Sequence, residues 1–386
     1  MRAPDRPAAR LDFTDPGFQT NPWPLYDWHR RHEPVTYSEA MNCYFVFGYR
    51  HVRHVLTSQD FTAHHPFRRS RVAFGPSALD SEGVVHARLR GSLTEPFRPR
   101  TVLGYQQVIS DIVRSLVDEL LPSGRPDWLD ELAWRLPTRV ACRILGLPED
   151  DDRLLYQMMR PLILFVDHAT VGYADVVGCR DRLRAYLRDT IDLGLDREAM
   201  LRGMVESRTL TDGEIVDNAI LLLAAATETT CSAVINLLAR VAGTPGLWAS
   251  LRANPSRVPA VVAETLRHEP PLHVTLRYAA ADVELAGCAI PAGAPVQVCL
   301  ASANRDPDVF ADPDTWDSGR ERHVPMTFGV GRHHCLGSAL AQAELETLVH
   351  ELLGRLADLW TTAPTDLAPR GRTFRSVQGL RLGHRP

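Results

Sequence analysis

The stretch FGVGRHHCLG, Phe328–Gly337, places three glycines, an arginine and two histidines around a single cysteine, Cys335. A cysteine that only fills a hydrophobic core does not need this setting. Glycines allow the backbone to approach a flat group closely, while arginine and histidine supply donors and positive charge. A periodic segment, 336–356, follows at once, and the N–H groups at a helix start favour negative charge on sulfur. The stretch therefore predicts a thiolate held against an anionic, planar ligand.

Composition narrows the class of protein. The chain has 386 residues, 45% of them hydrophobic and 23% charged, as in ordinary globular proteins. A net charge of −4 gives no global basic field for nucleic acid. No uninterrupted apolar run approaches the ~18–20 residues that cross a bilayer, and the N-terminal residues lack the apolar core of a secretory signal. We therefore expect a cytoplasmic protein that binds neither nucleic acid nor a membrane.

The cysteines indicate a reducing compartment. They are odd in number and none stand at CxxC spacing, so free and mostly buried thiols are the ordinary expectation. Cys335 is the exception because of its neighbours. The seven are Cys43, Cys142, Cys179, Cys231, Cys288, Cys299 and Cys335.

Most of the chain has the apolar periodicity of helices, and no internal repeat or low-complexity linker divides it. Short strand-like runs occur at 44–47 and 282–300. We therefore predict a mainly α fold with a small β region, organised as a single large domain, 1–386. The predicted helices include 102–121, 129–146, 177–194, 214–242, 257–269 and 336–356.

One predicted helix, about 212–242, is unusually long. Thr211 and Glu214 form a capping-box pattern at its start, and Gly243 fits a stop. Its roughly 30 residues would span about 45 Å. The middle is nearly free of charge, which favours a central, buried position.

The cysteine stretch resembles the haem-binding signature of the cytochromes P450, Phe-x-x-Gly-x-x-x-Cys-x-Gly, at Phe328, Gly331, Cys335 and Gly337. The bacterial form usually has histidine where His333 stands, whereas His334 is less usual. The resemblance covers about residues 20–380. It implies the P450 fold and a haem b (iron protoporphyrin IX) whose axial ligand is the Cys335 thiolate. The haem-binding positions implied in the loop are Phe328, Gly329, His333, Cys335 and Gly337.

Other segments match the family in the expected order. Glu264 and Arg267, three apart, would be an ordinary surface pair on their own. In the family this Glu-x-x-Arg pair is buried and closed by a third basic residue, here Arg320, and supports folding and haem-site integrity. His86 and Arg90, four apart, would otherwise be a solvated basic helix face. The resemblance assigns them to the haem propionates.

The resemblance adds Arg277 and His333 as further propionate partners. Two carboxylates facing several cations and donors form favourable charge-assisted hydrogen bonds.

The centre of the long helix, AATETT from Ala225 to Thr230, resembles the family's oxygen-activating pattern. The resemblance implies that Glu228 and Thr229 deliver protons for dioxygen reduction and that Ala225 belongs to the haem-contacting groove. The plainer alternative is that Thr229 bonds back to the Ala225 carbonyl and that Glu228 faces solvent. Ala226 departs from the family's usual glycine, which favours a more regular helix.

The chain shows no flavin or iron–sulfur motif, so electrons from NAD(P)H are expected through a ferredoxin and a ferredoxin reductase. By family analogy, a basic patch could receive the acidic partner, or its members could serve only propionates and solvent. The patch consists of Arg90, Arg98, Arg100 and Arg332.

Substrate-facing segments are expected at 60–85, 155–175, 222–226, 272–276 and 376–377. Their apolar character, with several histidines, favours a medium-sized natural-product-like substrate. The side chains singled out are His64, His65, Phe67, Phe74, Met158, Met159, Leu162, Phe165, His168 and His273.

The expected function is that of a monooxygenase that hydroxylates or epoxidises a small organic, secondary-metabolite substrate with dioxygen. Three alternatives stay open at this point. The first is oxidative C–C, C–N or C–O bond formation without oxygen insertion. The second is a non-catalytic haem sensor or carrier, and the third is a helical protein in which Cys335 is only structural.

Overall fold

The computed structural model describes residue 7 and residues 9–122, 127–167, 171–321, 323–362 and 367–385. About 59% of the structure is helical, so the predicted mainly α class with a small β region is confirmed. Backbone contacts divide the chain into two compact units. The first comprises 1–64, 263–335 and 366–378, and the second comprises 65–262, 336–365 and 379–386. The boundaries 1–386 for one domain stay a prediction.

Five of the six helical segments named from the sequence form single helices, with ends that differ by a few residues, whereas 102–121 is divided between two helices at Tyr105. The helices are α1 (Pro16–Thr20), α2 (Trp23–His32), α3 (Tyr49–Thr57), α4 (Arg69–Phe74), α5 (Gly83–Thr94), α6 (Pro99–Gly104), α7 (Gln106–Leu120), α8 (Trp128–Leu145), α9 (Asp152–Val166), α10 (Tyr173–Leu193), α11 (Met200–Ser207), α12 (Asp212–Gly243), α13 (Leu247–Ala253), α14 (Val258–His268), α15 (Leu300–Ala303) and α16 (Ser338–Arg355).

The strands are short, as expected for the minor β part. They are β1 (Val35–Ser38), β2 (Cys43–Val46), β3 (Phe61–Thr62), β4 (Val274–Ala279), β5 (Val283–Leu285), β6 (Cys288–Ile290), β7 (Pro295–Cys299), β8 (Asp358–Thr361), β9 (Arg370–Gly371), β10 (Arg375–Ser376) and β11 (Leu382–Arg385).

The first unit is built on a five-stranded sheet in the order β1-β2-β7-β4-β3. Strands β2 and β7 run parallel, with Tyr44 opposite Val296, and the other neighbours are antiparallel. Alternation in β2 and β7 gives the sheet two apolar faces. One face buries Val46 and Val298 with α3, and the other buries Phe45 among aromatic side chains of the N-terminal segment.

The second unit is organised around α12. Its capping box is present: the Thr211 hydroxyl accepts from the Glu214 N–H at 3.3 Å, and Glu214 Oε2 accepts from the Thr211 N–H at 2.9 Å. Gly243 is the last helical residue, and Thr244 caps the end. Helices α8, α9, α10 and α16 pack against α12. The predicted long central helix is therefore confirmed.

Helix α12 corrects the expectation that no segment is long and apolar enough to cross a bilayer. Its 32 residues are long and apolar enough to cross a membrane by length and composition, with a mean hydropathy of 1.6 over its best window. However, 61% of that window is buried inside the protein. Packing by neighbouring helices accounts for the apolar composition, as it does for a core helix.

The cysteine loop is tied to the end of α3 inside the first unit. Gly331 has φ +78°, and a Cβ there would lie 2.8 Å from the Leu56 carbonyl oxygen. The Arg332 guanidinium donates to the carbonyl oxygens of Ser58 at 3.1 Å and Phe61 at 2.6 Å. A bulkier residue at 331 would therefore be strained and would push the loop away from α3.

We predict that Gly331→Ala lowers the free energy of unfolding by about 1–3 kcal/mol or more, because a side chain is strained at positive φ and also meets a carbonyl. Urea unfolding of the purified protein measures this change. Gly354→Ala is the control, because a Cβ there meets nothing within 4 Å inside α16 and alanine favours helix. Equal stability of the Gly331→Ala variant and the wild type would contradict the assigned constraint.

Candidate active site

Cys335 ends a loop of two short 3-10 turns, Met326–Phe328 and Gly331–His333. The Cys335 N–H donates to the Phe328 carbonyl at 2.8 Å, which closes the loop. Gly329, at φ +63°, makes the turn that a residue with a side chain rarely adopts. All seven cysteines are free, and Cys335 alone among them is exposed. Cys335 therefore differs from the other six cysteines in its exposure, and its role as a ligand stays a prediction.

The predicted Glu264, Arg267 and Arg320 come together in the first unit. Arg267 binds Glu264 through two parallel bonds of 2.8 Å, and Arg320 Nε lies 3.3 Å from Glu264 Oε1. Glu264 and Arg267 are both buried. Removing one partner from such a pair leaves an uncompensated buried charge, at a cost of about 3–5 kcal/mol.

Arg267 also organises the segment that leads to the cysteine loop. Its guanidinium donates to the carbonyl oxygens of Asn304 at 2.8 Å and Pro313 at 3.0 Å. The Asn304 side chain in turn accepts from Met326 N at 2.5 Å and donates to the Thr327 hydroxyl at 2.9 Å. Sequence reasoning missed Asn304 and Thr327, because a lone amide and a lone hydroxyl have no spacing that marks them.

The predicted propionate partners lie in both units. In the first, Arg277 is buried in β4 and donates to the Leu276 carbonyl at 2.9 Å, while His333 is partly buried. In the second, His86 is buried and Arg90 partly buried, both on α5 and one turn apart. Their role toward a haem stays a prediction.

The middle of α12 presents an open face. Ala225 is exposed although Ala224 and Thr227 beside it are buried, and Thr229, one turn on, is partly buried. The Thr229 hydroxyl donates to the Ala225 carbonyl at 2.8 Å, which is the plainer arrangement considered from the sequence. The helix is continuous through Ala226, as alanine in place of glycine favours.

Glu228 lies on the same turn of α12 and is partly buried. Loss of hydration raises the pKa of its carboxyl group to about 7, with a further increase from Asp167 and a decrease from Arg160. The carboxyl group therefore changes protonation near neutral pH. The alternative of an ordinary solvent-facing glutamate does not fit this environment.

The structure corrects two sequence-based expectations. His273, expected to face a substrate, has 0% exposure, and its Nδ1 lies 3.5 Å from the Tyr26 hydroxyl. Burial, followed by Arg375 and Arg305, holds the pKa of His273 well below its ordinary value. Arg332, expected in a docking patch, donates hydrogen bonds to the backbone carbonyls of Ser58 and Phe61.

The other members of the expected docking patch differ from Arg332. Arg98 and Arg100 are exposed, and both pair with Glu95, at 2.8 and 2.7 Å. One carboxylate thus offsets part of their charge.

Most of the expected substrate-facing side chains are not at an open surface. Phe74, Met158, Met159 and Leu162 are buried, whereas Phe67 is 82% exposed. His64 is exposed, and His65 and Phe165 are partly buried. His168 lies outside the described residues.

The residues present fit a haem held by one thiolate. The first unit supplies an exposed cysteine on a loop with two positive-φ glycines, together with a buried arginine, Arg277. A thiol and a buried guanidinium within this one unit suit a flat ligand that carries carboxylates.

Comparisons with known proteins agree with this geometry. The family model described as Cytochrome P450 matches residues 179–357. The chain is 33% identical over 361 residues to the cytochrome P450 monooxygenase PikC of Streptomyces venezuelae, covering 89% of this chain and 85% of that protein. The crystal structure of CalO2 is similar with a TM-score of 0.88 at 27% identity, covering 98% of this chain and 99% of that one.

A third similar protein is CxnD, described as a cytochrome P450 enzyme for C–S bond formation in chuangxinmycin biosynthesis. The TM-score is 0.84 at 26% identity, and the match covers 96% of this chain and 97% of that chain. Identity and coverage of this extent, together with the fold and the cysteine loop, show that the chain belongs to the cytochrome P450 family of haem-thiolate monooxygenases.

Proposed function

We propose that the Cys335 thiolate would hold the haem of this P450 and that the enzyme inserts one atom of dioxygen into a C–H bond or alkene of a small secondary metabolite. The observation that carries the proposal is the exposed Cys335, on a loop fixed by the Phe328 carbonyl and by Arg332. When bound, the haem supplies iron and thiolate-assisted cleavage of dioxygen. PikC, the similar monooxygenase, supports oxygen insertion for this chain.

Four side chains are assigned to the haem carboxylates: His86, Arg90, Arg277 and His333. Arg277 is a buried guanidinium, and a propionate is an anion that suits its positive charge. Arginine gives paired hydrogen bonds, and histidine gives one directed N–H bond. Phe328, Gly329 and Gly337 shape the loop that carries the thiolate.

Glu228 and Thr229 are assigned to proton movement. A carboxyl group with a pKa of about 7 exists in both forms at neutral pH, which suits a group that accepts and releases protons. The Thr229 hydroxyl donates its O–H to the Ala225 carbonyl, and its oxygen keeps lone pairs that can accept from a water molecule. We assign the pair to holding a water between a proton donor and an acceptor.

A second candidate function is oxidative bond formation without oxygen insertion, which the similarity to CxnD supports. Reaction under 18O-labelled dioxygen separates the two. A product that gains one labelled oxygen supports insertion, whereas a product that loses two hydrogens and carries no label supports bond formation.

The proposed electron donors are a ferredoxin and its NAD(P)H-dependent reductase in the bacterial cytoplasm. Exposed Arg98 and Arg100 on the surface of the second unit suit an acidic partner, although Glu95 reduces their combined charge. A sensor or carrier would consume no NAD(P)H with these partners over a broad substrate panel, and such a result would favour the non-catalytic alternative.

The thiolate assignment predicts a strongly red-shifted Soret band for the reduced, carbon monoxide-treated protein. Cys335→His should retain haem but give a band at the ordinary position, because a neutral imidazole donates less electron density than a thiolate. Absorbance spectra of both proteins test this. A red-shifted band that survives in Cys335→His would overturn Cys335 as the ligand.

Thr229→Ala should bind haem and substrate as the wild type does but release most consumed electrons as hydrogen peroxide, because the hydroxyl no longer holds the water. We expect at least a 10-fold fall in product per NAD(P)H, a lower bound set below the roughly 10²–10⁴-fold range of general acid–base effects. Product and peroxide assays measure the ratio, and Thr229→Ser is the matched control that keeps a hydroxyl. Unchanged coupling in the alanine variant would remove Thr229 from the relay.

The raised pKa of Glu228 predicts a pH-dependent stability. Between its ordinary value of 4.5 and about 7, the folded protein binds this proton more tightly than the unfolded chain. The unfolding free energy should therefore fall as pH rises through this range, by at most about 3 kcal/mol from this group.

In Glu228→Gln this contribution should vanish, so the variant gains stability relative to the wild type at pH 8 but not at pH 4.5. Urea unfolding at both pH values measures the difference. Glu198→Gln, at an exposed position, is the control. An equal effect of Glu228→Gln at both pH values would contradict the assigned environment.

A further inference from the structure

Helix α5 packs within the second unit through a narrow apolar stripe. Its two buried leucines, Leu89 and Leu93, are four residues apart and therefore lie on one face of the helix. His86, which is buried, and Arg90, which is partly buried, lie on one side of that stripe. Apolar packing has no directional preference, so a stripe of two leucines defines the rotation of the helix about its own axis only weakly.

The other side of the stripe carries Arg88 and Ser92, again four residues apart. The Arg88 guanidinium donates to both carboxylate oxygens of Glu214 on α12, at 2.9 and 2.5 Å, and to the Thr209 carbonyl at 2.9 Å. The Ser92 hydroxyl lies 2.9 Å from the Thr209 hydroxyl. These contacts, all within the second unit, tie this side of α5 to the segment that leads into α12.

The pair between Arg88 and Glu214 is a directional contact. A guanidinium that meets a carboxylate through two parallel hydrogen bonds fixes orientation as well as distance. Glu214 is itself held in place, because its Oε2 accepts from the Thr211 N–H at 2.9 Å. Hydrogen bonding from Arg88 is the largest influence that lowers the pKa of Glu214 to about 2. The pair therefore stays charged throughout the neutral range of pH.

Rotation of α5 about its axis moves both sides of the helix together. Groups that bind a ligand must be held within roughly 10–20° of the productive orientation. His86 and Arg90 share a helix with Arg88, so a paired contact at Arg88 restricts the directions in which the other two side chains can point. The apolar stripe alone does not supply this restriction.

We propose that Arg88 is a positioning residue for His86 and Arg90, the two side chains of α5 assigned to the haem carboxylates. Its contacts with Glu214 and Thr209 fix the rotation of α5, and this rotation presents the pair to the carboxylates. Arg88 acts through the helix and makes no contact with the ligand in this role. The inference rests on the proposed function, because it needs His86 and Arg90 to bind the haem carboxylates.

The plainer alternative is that Arg88 only stabilises the start of α12. Thr211→Ala separates the two explanations, because it removes the hydroxyl that accepts from the Glu214 N–H at 3.3 Å. The carboxylate of Glu214 stays paired with Arg88 in that variant. Thr211→Ala should therefore weaken the start of α12 without changing how α5 meets the haem.

The rate of haem transfer from the purified holoprotein to excess apomyoglobin tests the inference. Arg88→Gln should lose haem about 10-fold faster, a change at the low end for loss of one hydrogen bond to a charged group. Arg88→Lys, which keeps the charge but not the paired geometry, should lie between the variant and the wild type. Arg202→Gln is the matched control, because Arg202 forms an exposed pair with Glu206 at 2.7 Å inside α11. Its rate should stay within about 2-fold of the wild type.

A second measurement reports the haem carboxylates themselves. Their bending bands in the resonance Raman spectrum respond to hydrogen bonding, which a general loss of stability does not change. Arg90→Gln should shift these bands, and Arg88→Gln should shift the same bands in the same direction. Thr211→Ala should leave them unchanged. Ser92→Ala removes one hydroxyl from the same side of α5 and should give a smaller shift, which tests the inference even if Arg88→Gln does not fold.

The outcomes separate the inference from the proposed function. If Arg90→Gln speeds haem loss but neither Arg88→Gln nor Ser92→Ala changes the rate or the bands, the role of Arg88 is wrong and the proposed function stands. Bands that shift as much in Thr211→Ala as in Arg88→Gln would also overturn the role of Arg88. If neither His86→Gln nor Arg90→Gln changes haem loss or the bands, the assignment of that pair to the haem carboxylates fails.

Discussion

The bidentate pair between Glu264 and Arg267 is the interaction on which the first unit depends. Because the pair is buried, every remaining donor of Arg267 needs an acceptor, and the backbone carbonyls of the segment from Asn304 to Thr315 provide them. Asn304 then fixes the start of the cysteine loop through Met326 and Thr327. The position of Cys335 thus follows from a chain of satisfied polar groups, in which loss of one member would leave the next without its partner.

The second unit differs from the first, because its largely apolar helix α12 carries the polar side chains Glu228 and Thr229. Neighbouring helices remove water from α12, and this desolvation raises the pKa of Glu228 to about 7. The same packing leaves Ala225 exposed and Thr229 partly so. A carboxyl group in an ordinary surface helix would stay ionised at neutral pH and could not hold a proton. Burial that is unfavourable for stability is therefore what makes the group useful for proton transfer.

The family and its general haem monooxygenase chemistry follow from similarity to known proteins over most of the chain, whereas substrate choice does not. The segments expected to face a substrate contain both buried side chains, such as Met159, and strongly exposed ones, such as Phe67. Phe67 and Phe74 both belong to the segment 60–85, yet Phe67 is exposed and Phe74 is buried. Specificity therefore depends on how each loop packs, and hydrophobic character alone does not reveal it.

Local signals in the sequence determined much of this protein. The Cys335 stretch, the Thr211–Glu214 capping box and the spacing of Glu264 and Arg267 act over a few residues, and the structure forms the loop, the helix start and the pair that they predict. Only the tertiary structure decided that His273 is buried, that Arg332 binds the Ser58 carbonyl at the end of α3, and that Asn304 binds Met326 and Thr327. These outcomes depend on contacts between residues far apart in sequence, and on the loss of water that such contacts cause, which no short-range pattern encodes.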